Sequence, residues 1–222
     1  MKKATLLLLL CISFSSCGQN LPKGFVYLKD VDPTIKIEMR YKSHNNFIGK
    51  SIDGYKKEVI IVSEPAAIAI KKVQKQLLEF NLSLKIFDAY RPQQAVNHFV
   101  RWAKALNDTL MKRQYYPNVP KTQLFKRGYI SAKSGHTRGS TLDLTIIDLA
   151  TNTELDMGSP YDFFGEESHA LNDKISKKQR ANRLLLRNLM VTNGFKPIKS
   201  EWWHFTLKDE PFPETYFNFP IK

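Results

Sequence analysis

Apolar residues return every third or fourth position through "SEPAAIAIKKVQKQLLEFN" (63–81). Ala69, Val73, Leu77 and Phe80 share one side of a helical wheel, which predicts an amphipathic helix. Ser63 stands where a cap belongs, and Pro65 is tolerated in a first turn. The period then drops to two. In "LSLKIFDAY" (82–90), Leu82, Leu84 and Ile86 point one way, as in a strand. Helical spacing resumes in "RPQQAVNHFVRWAKAL" (91–106) through Val96, Val100, Ala103 and Leu106, with Arg91-Pro92 at the entrance. "TLDLTIIDL" (141–149) alternates again, with Leu142, Leu144 and Ile146 on one face and Asp143 and Thr145 on the other. "DKISKKQRANRLLLRNLMVTNGF" (173–195) predicts a long amphipathic helix with a left-handed stop at Asn193-Gly194. "EWWHFTL" (201–207) is short and aromatic and predicts a strand.

Helices and strands interleave without regular βαβ repetition and without a Gly-rich dinucleotide loop. This pattern predicts an α+β fold, a single domain with helices packed on a small, largely antiparallel sheet. No internal repeat or low-complexity tract interrupts it. A length of 222 residues suits one domain with a substantial core.

The first residues read as an address rather than as structure. "MKK" is basic, "ATLLLLLCISF" is apolar but short for a membrane span, and "SSCGQN" follows. Residues 1–16 are expected to be a signal peptide. Ser15 and Ser16 before Cys17 resemble a bacterial lipoprotein cleavage site, which would make Cys17 the lipidated first residue of the mature chain. Phe14 stands where the commonest version of that site has Leu. Residues 17–23 would form a short tether and 24–222 the folded domain. The expectation is an exported protein, periplasmic or at the cell envelope, attached to the membrane through Cys17. With Cys11 removed, no internal disulfide is possible, and cysteine catalysis is excluded.

The formal net charge is +13. Lys and Arg are scattered in separate segments, and no zinc finger, RNP-type aromatic motif or basic zipper is present, so a nucleic-acid partner is not expected. Attraction to an anionic envelope is the milder reading of the charge.

Chemistry concentrates in "SGHTRGSTLD" (134–143), where His136, flanked by glycines at 135 and 139, precedes Asp143 by seven positions. The glycines at 135 and 139 let the backbone turn tightly, so His136 can come back toward Asp143. His204 in "EWWHF" adds a second imidazole. A His/His/Asp set leaves one position open on zinc, as catalytic sites do. Each residue alone has an ordinary alternative: Asp143 could face water, and His204 could be a satisfied core histidine. Glu201 precedes His204 by three and would sit in an irregular stretch before the strand, where a carboxylate can act as general base. The alternative for Glu201 is a surface charge. Arg91, at a strand-to-helix junction, is the candidate cation for a developing oxyanion, or else a salt-bridge partner of Asp88. "HExxH" and "GxSxG" are absent, and nothing marks a carboxylate pair for glycoside cleavage.

These segments resemble the D-alanyl-D-alanine dipeptidases, zinc peptidases that include the enzyme of vancomycin resistance. The resemblance runs from about Gly24 to Lys222 through "RYKSHNNFIGKSIDGY", "DAYRPQQAVN", "SGHTRGSTLDLT", "MGSPYDFFGEESH", "EWWHF" and "DEPFPETYFNFPIK". It implies one zinc ion per chain on His136, Asp143 and His204, Glu201 as base, and Arg91 stabilising the tetrahedral intermediate. Tyr41, Ser134 and Asp162 would shape the substrate pocket, with an acidic group near the substrate's free amino end. The implied reaction is hydrolysis of D-Ala-D-Ala to two D-alanines. Well-known members act in the cytoplasm, whereas this chain begins with an export signal. Two other readings remain: a D,D-carboxypeptidase or endopeptidase acting on peptidoglycan stem peptides, and a non-catalytic envelope protein that binds peptidoglycan fragments.

Overall fold

A computed structural model of the protein describes residues 21–222. The expected signal peptide, Cys17 and the start of the expected tether lie outside the described residues. In chain order the elements are β1 (Phe25–Tyr27), a short α1 (Leu28–Val31), β2 (Lys36–Ile37), β3 (Ile61–Ser63) and α2 (Glu64–Leu78). There follow β4 (Leu82–Asp88), α3 (Gln93–Lys104), a short α4 (Lys112–Tyr115), β5 (Thr141–Asp148) and β6 (Thr153–Glu154). The chain ends with α5 (Lys177–Thr192), β7 (Phe195–Pro197) and β8 (His204–Leu207).

The main sheet runs β2-β4-β5-β8-β7, with β6 beside β5. Only the β2–β4 pair is parallel. The α+β class with a largely antiparallel sheet is therefore what the sequence predicts. β1 and β3 form a separate antiparallel pair. Helix α2 packs on β4, and α5 on β7 and α2.

β5 is the central strand, and its neighbours leave neither face wet. Leu142, Leu144 and Ile146 are fully buried, and so are Asp143 and Thr145 on the opposite face. Asp143 facing water is thus excluded. Its Cα pairs with His204 on β8 and with Asp88 on β4. The register shifts between Ile86 and Asp88, so two residues of β4 are set against one step of β5. That bulge turns Asp88 onto Asp143's face, as an extra residue does in an antiparallel ladder.

Several element boundaries differ from the sequence reading. Helix α2 stops at Leu78, and Phe80 is 74% exposed instead of sharing the buried face of Val73 and Leu77. Asn81 follows with a left-handed φ of 58°, a conformation Asn tolerates. Likewise α3 stops at Lys104, which leaves Leu106 54% exposed. Ser63 occupies the cap position of α2, but its hydroxyl meets that of Ser140 at 2.7 Å instead of capping. Helix α5 begins at Lys177, later than position 173, because Ser176 and Gln179 form a reciprocal capping box. The entrance of α3 is closed from a distance. Gln93 N–H donates to the carbonyl of Phe217, and Gln94 N–H to Asn218 Oδ1 of the C-terminal tail.

Candidate metal centre and active site

Three elements bring the candidate ligands together. His136 sits in a 3-10 turn (Gly135–Arg138) that ends at Gly139, whose φ is 86°. A Cβ at Gly139 would lie 2.2 Å from the Phe25 ring, so both the turn and the packing require glycine there. Asp143 comes from β5 and His204 from the first position of β8, directly opposite.

The donor atoms form a tight triangle. His136 Nε2 lies 3.3 Å from Asp143 Oδ1 and 3.3 Å from His204 Nδ1, and His204 Nδ1 lies 3.1 Å from Asp143 Oδ1. Around a tetrahedral zinc with bonds of about 2.0–2.1 Å, neighbouring donors stand about 3.3 Å apart. Asp143 Oδ1 is buried and has no hydrogen-bond partner, although an orphaned buried carboxylate oxygen is costly. His136 Nδ1 must be the protonated nitrogen, because it meets the Ala89 carbonyl at 2.8 Å and a carbonyl can only accept. Nε2 therefore keeps its lone pair toward the triangle. The residues fit a divalent metal.

Charge agrees with this geometry. Burial works to raise the Asp143 carboxyl, yet His136 and His204 together hold it well below the usual carboxylate range. Burial lowers His136, with Arg91 adding to the effect. Burial also works against a charged His204, but Asp143 and Glu201 outweigh it and raise that imidazole.

The triangle opens on a cavity of about 180 Å³, whose lining includes Tyr41, Arg91, Ser134, Asp162, Phe164 and Glu201. Glu201 lies in the irregular stretch before β8, with Oε2 3.4 Å from His204 Nδ1. Burial raises its carboxyl above the ordinary value. Arg91 both pairs with Asp88 and faces the cavity: Nε donates to Asp88 Oδ2 at 2.8 Å, and Nη2 approaches Asp143 Oδ2 at 3.4 Å. Its guanidinium lies over the rings of Tyr41 and Phe99, 5.1 and 5.2 Å from their centroids.

A model of the D-Ala-D-Ala dipeptidase family matches residues 22–222. The D-alanyl-D-alanine dipeptidase of Enterococcus faecalis is 39% identical over 90% of this chain and 100% of its own length. Those of Enterococcus faecium and Streptomyces coelicolor are each 38% identical, over 90% and 89% of this chain and 98% of their own lengths.

The chain belongs to the D-Ala-D-Ala dipeptidase family. It is an enzyme of the hydrolase class.

The eight metal, catalytic and substrate-binding candidates that the sequence marks in this dipeptidase-family chain line the same cavity. Tyr41 donates to Asp162 Oδ1 at 3.1 Å, and both are buried. Ser134 occupies the cap position of the 3-10 turn, but its hydroxyl does not cap it. Asp162 has a left-handed φ of 62°, and its Oδ2 is buried without a partner.

Two further residues carry weight that the sequence reading did not assign. Tyr161 hydroxyl lies 3.1 Å from Tyr41 hydroxyl and 3.1 Å from Asp143 Oδ2, which joins the donor triangle to Asp162. Burial, with Asp143 nearby, pushes the Asp162 carboxyl well above its ordinary value. Asp88 accepts from Arg91 and from Tyr55 hydroxyl at 2.7 Å, and so sets the guanidinium's direction. The only sequence signals were Tyr161's place in "SPYDFF" and Asp88's spacing from Arg91.

Proposed function

We propose that the protein hydrolyses D-Ala-D-Ala to two D-alanines, with one zinc ion as cofactor. The donor triangle of His136, Asp143 and His204, opening on a small cavity shared with Glu201 and Arg91, carries this reading. The relatives' names supply the substrate. Zinc on these three residues would supply Lewis-acid polarisation of the scissile carbonyl and a more acidic attacking water.

The chain's own groups do the rest. Glu201 accepts a proton from the attacking water and delivers it to the departing amine, as the C–N bond breaks. Its raised basicity suits both transfers. Arg91, held by Asp88, offers fixed donors to the negative charge that develops on the carbonyl oxygen. Asp162 and Tyr41 receive the free amino end, whose positive charge compensates a buried carboxylate. Ser134 offers its hydroxyl to the peptide's polar groups. The small cavity favours a dipeptide over a stem peptide.

We also propose that the chain is exported and held at the envelope through lipidated Cys17. The sequence of residues 1–17 alone supports this. Among the described residues no helix is long and apolar enough to cross a membrane.

The deciding experiment incubates zinc-loaded protein with D-Ala-D-Ala, L-Ala-L-Ala and a stem pentapeptide, and measures alanine release. Release from D-Ala-D-Ala alone is expected. Comparable release from the pentapeptide would move the assignment to a carboxypeptidase, and release from none would leave a binding protein.

A further inference from the structure

Arg183 lies on the inner side of α5 and is 3% exposed. Among the described residues no carboxylate lies within ion-pair distance of it. A buried cation without an anion is unusual and is costly unless its donors are satisfied. Here they are satisfied by one loop. Nε donates to the carbonyl of Met157 at 2.5 Å, Nη1 to that of His169 at 2.7 Å, and Nη2 to that of Glu167 at 2.7 Å. A longer contact, 3.5 Å, reaches Ser159 Oγ.

These acceptors are the two feet of a single loop. Met157 and Ser159 lie before its apex, and Glu167 and His169 after it. The apex carries Tyr161, Asp162 and Phe164, all facing the active-site region. Ser159 Oγ also accepts from Trp202 Nε1 at 3.0 Å, next to Glu201, and meets Ser168 Oγ at 3.0 Å. One planar guanidinium thus closes the loop's base, and Ser159 ties that base to the segment bearing Glu201. Asp162 needs such support, because a non-glycine left-handed residue persists only where its surroundings over-determine it.

We propose that Arg183 is a positioning residue for the substrate's amino end: by clamping both feet of the 157–169 loop, it holds Asp162 and Tyr161 in the pocket. The proposal rests on the reading of Asp162 as the group that receives the substrate's ammonium. Arginine is specified because lysine lacks the flat fork that reaches three carbonyls in different directions. Since the clamp acts on substrate placement and not on proton transfer, its loss falls on KM.

The test is a kinetic cycle on the zinc-loaded protein with D-Ala-D-Ala, comparing wild type, Arg183→Lys, Asp162→Asn and the double variant. Arg183→Lys is expected to raise KM about tenfold with kcat within about threefold, since a small misplacement of a binding group is costly. Zinc content should stay at the wild-type value. In the Asp162→Asn background the lysine substitution should change KM little, because the group it positions is already gone. An additive loss, or an unchanged KM with Asp162→Asn showing its own effect, would overturn the clamp alone. An unchanged KM in Asp162→Asn itself would remove the amino-end reading and the clamp with it. Should Arg183→Lys not fold, Arg183→Gln keeps a planar side chain but has too few donors to reach all three carbonyls. A higher KM for that variant supports the proposal, and an unchanged one rejects it.

Discussion

Phe217, five residues before Lys222, donates its backbone N–H to the carbonyl of Thr137 at 3.0 Å. Thr137 follows His136. The Phe217 carbonyl in turn accepts from Gln93 N–H at the start of α3, two residues after Arg91. One tail residue therefore braces both the turn that presents His136 and the corner that presents Arg91. The aromatic rings of Phe217 and Phe219 pack edge-on against Phe25, the ring that also touches Gly139.

Deleting residues 216–222 should consequently weaken zinc binding by about 10–100-fold, the range seen when outer partners of metal ligands are lost. Competition with a chromophoric chelator would measure it. Wild-type zinc affinity in the truncated chain would show that the turn holds His136 unaided.

Metal removal should cost stability as well as activity. A ligand present at a thousandfold its dissociation constant stabilises the native state by about 4 kcal/mol. For a chain of this size each kcal/mol corresponds to about 2–4 °C. Zinc-loaded protein should therefore melt roughly 8–16 °C above chelator-treated protein, and elemental analysis should find about one zinc per chain. Identical melting curves would argue that the triangle holds no metal.

Glu201 contacts His204 but is not a member of the donor triangle. Glu201→Ala should keep its zinc and lose roughly 10² or more in kcat. Single-turnover kinetics with metal analysis on the same sample would separate loss of the base from loss of the ion.

Asp162 predicts a trade between stability and binding. Its folded-state carboxyl is raised, so folding favours the protonated form. As pH climbs above about 3.9, the unfolded chain ionises first, and stability falls until the folded carboxyl also ionises. Asn cannot ionise and tolerates a left-handed φ. Asp162→Asn should therefore melt about 2–4 °C higher than wild type near pH 8 and close to it near pH 4, while KM for D-Ala-D-Ala rises. Equal melting temperatures at pH 8 would show that the buried carboxylate carries no penalty.

Replacing Cys17 should test the envelope assignment directly. In a bacterial host, wild type is expected in the detergent-soluble membrane fraction and Cys17→Ala in the soluble exported or precursor fraction. Wild type found wholly soluble would remove the lipid anchor.

The sequence by itself determined the local elements and the chemical inventory. Alternation over 141–148 and helical spacing over 177–192 reflect the periods of strand and helix, which local sterics impose whatever the rest of the chain does. The candidates His136, Asp143, Glu201 and His204 stood out because few residue types bind metals or move protons, and the fold brings them to one cavity. Periodicity could not say where a helix ends, and so it placed Phe80 and Leu106 on buried faces that stop short of them. Nor could it decide what covers a strand's second face. Asp143 is buried because β4 and β8 flank β5 and loops close over it, and a single bulge at Phe87 puts Asp88 beside it. Tyr161 meeting Tyr41, the loop clamped by Arg183 and the tail behind His136 all join residues far apart along the chain. Such contacts arise from packing, which the local pattern of any one segment does not encode.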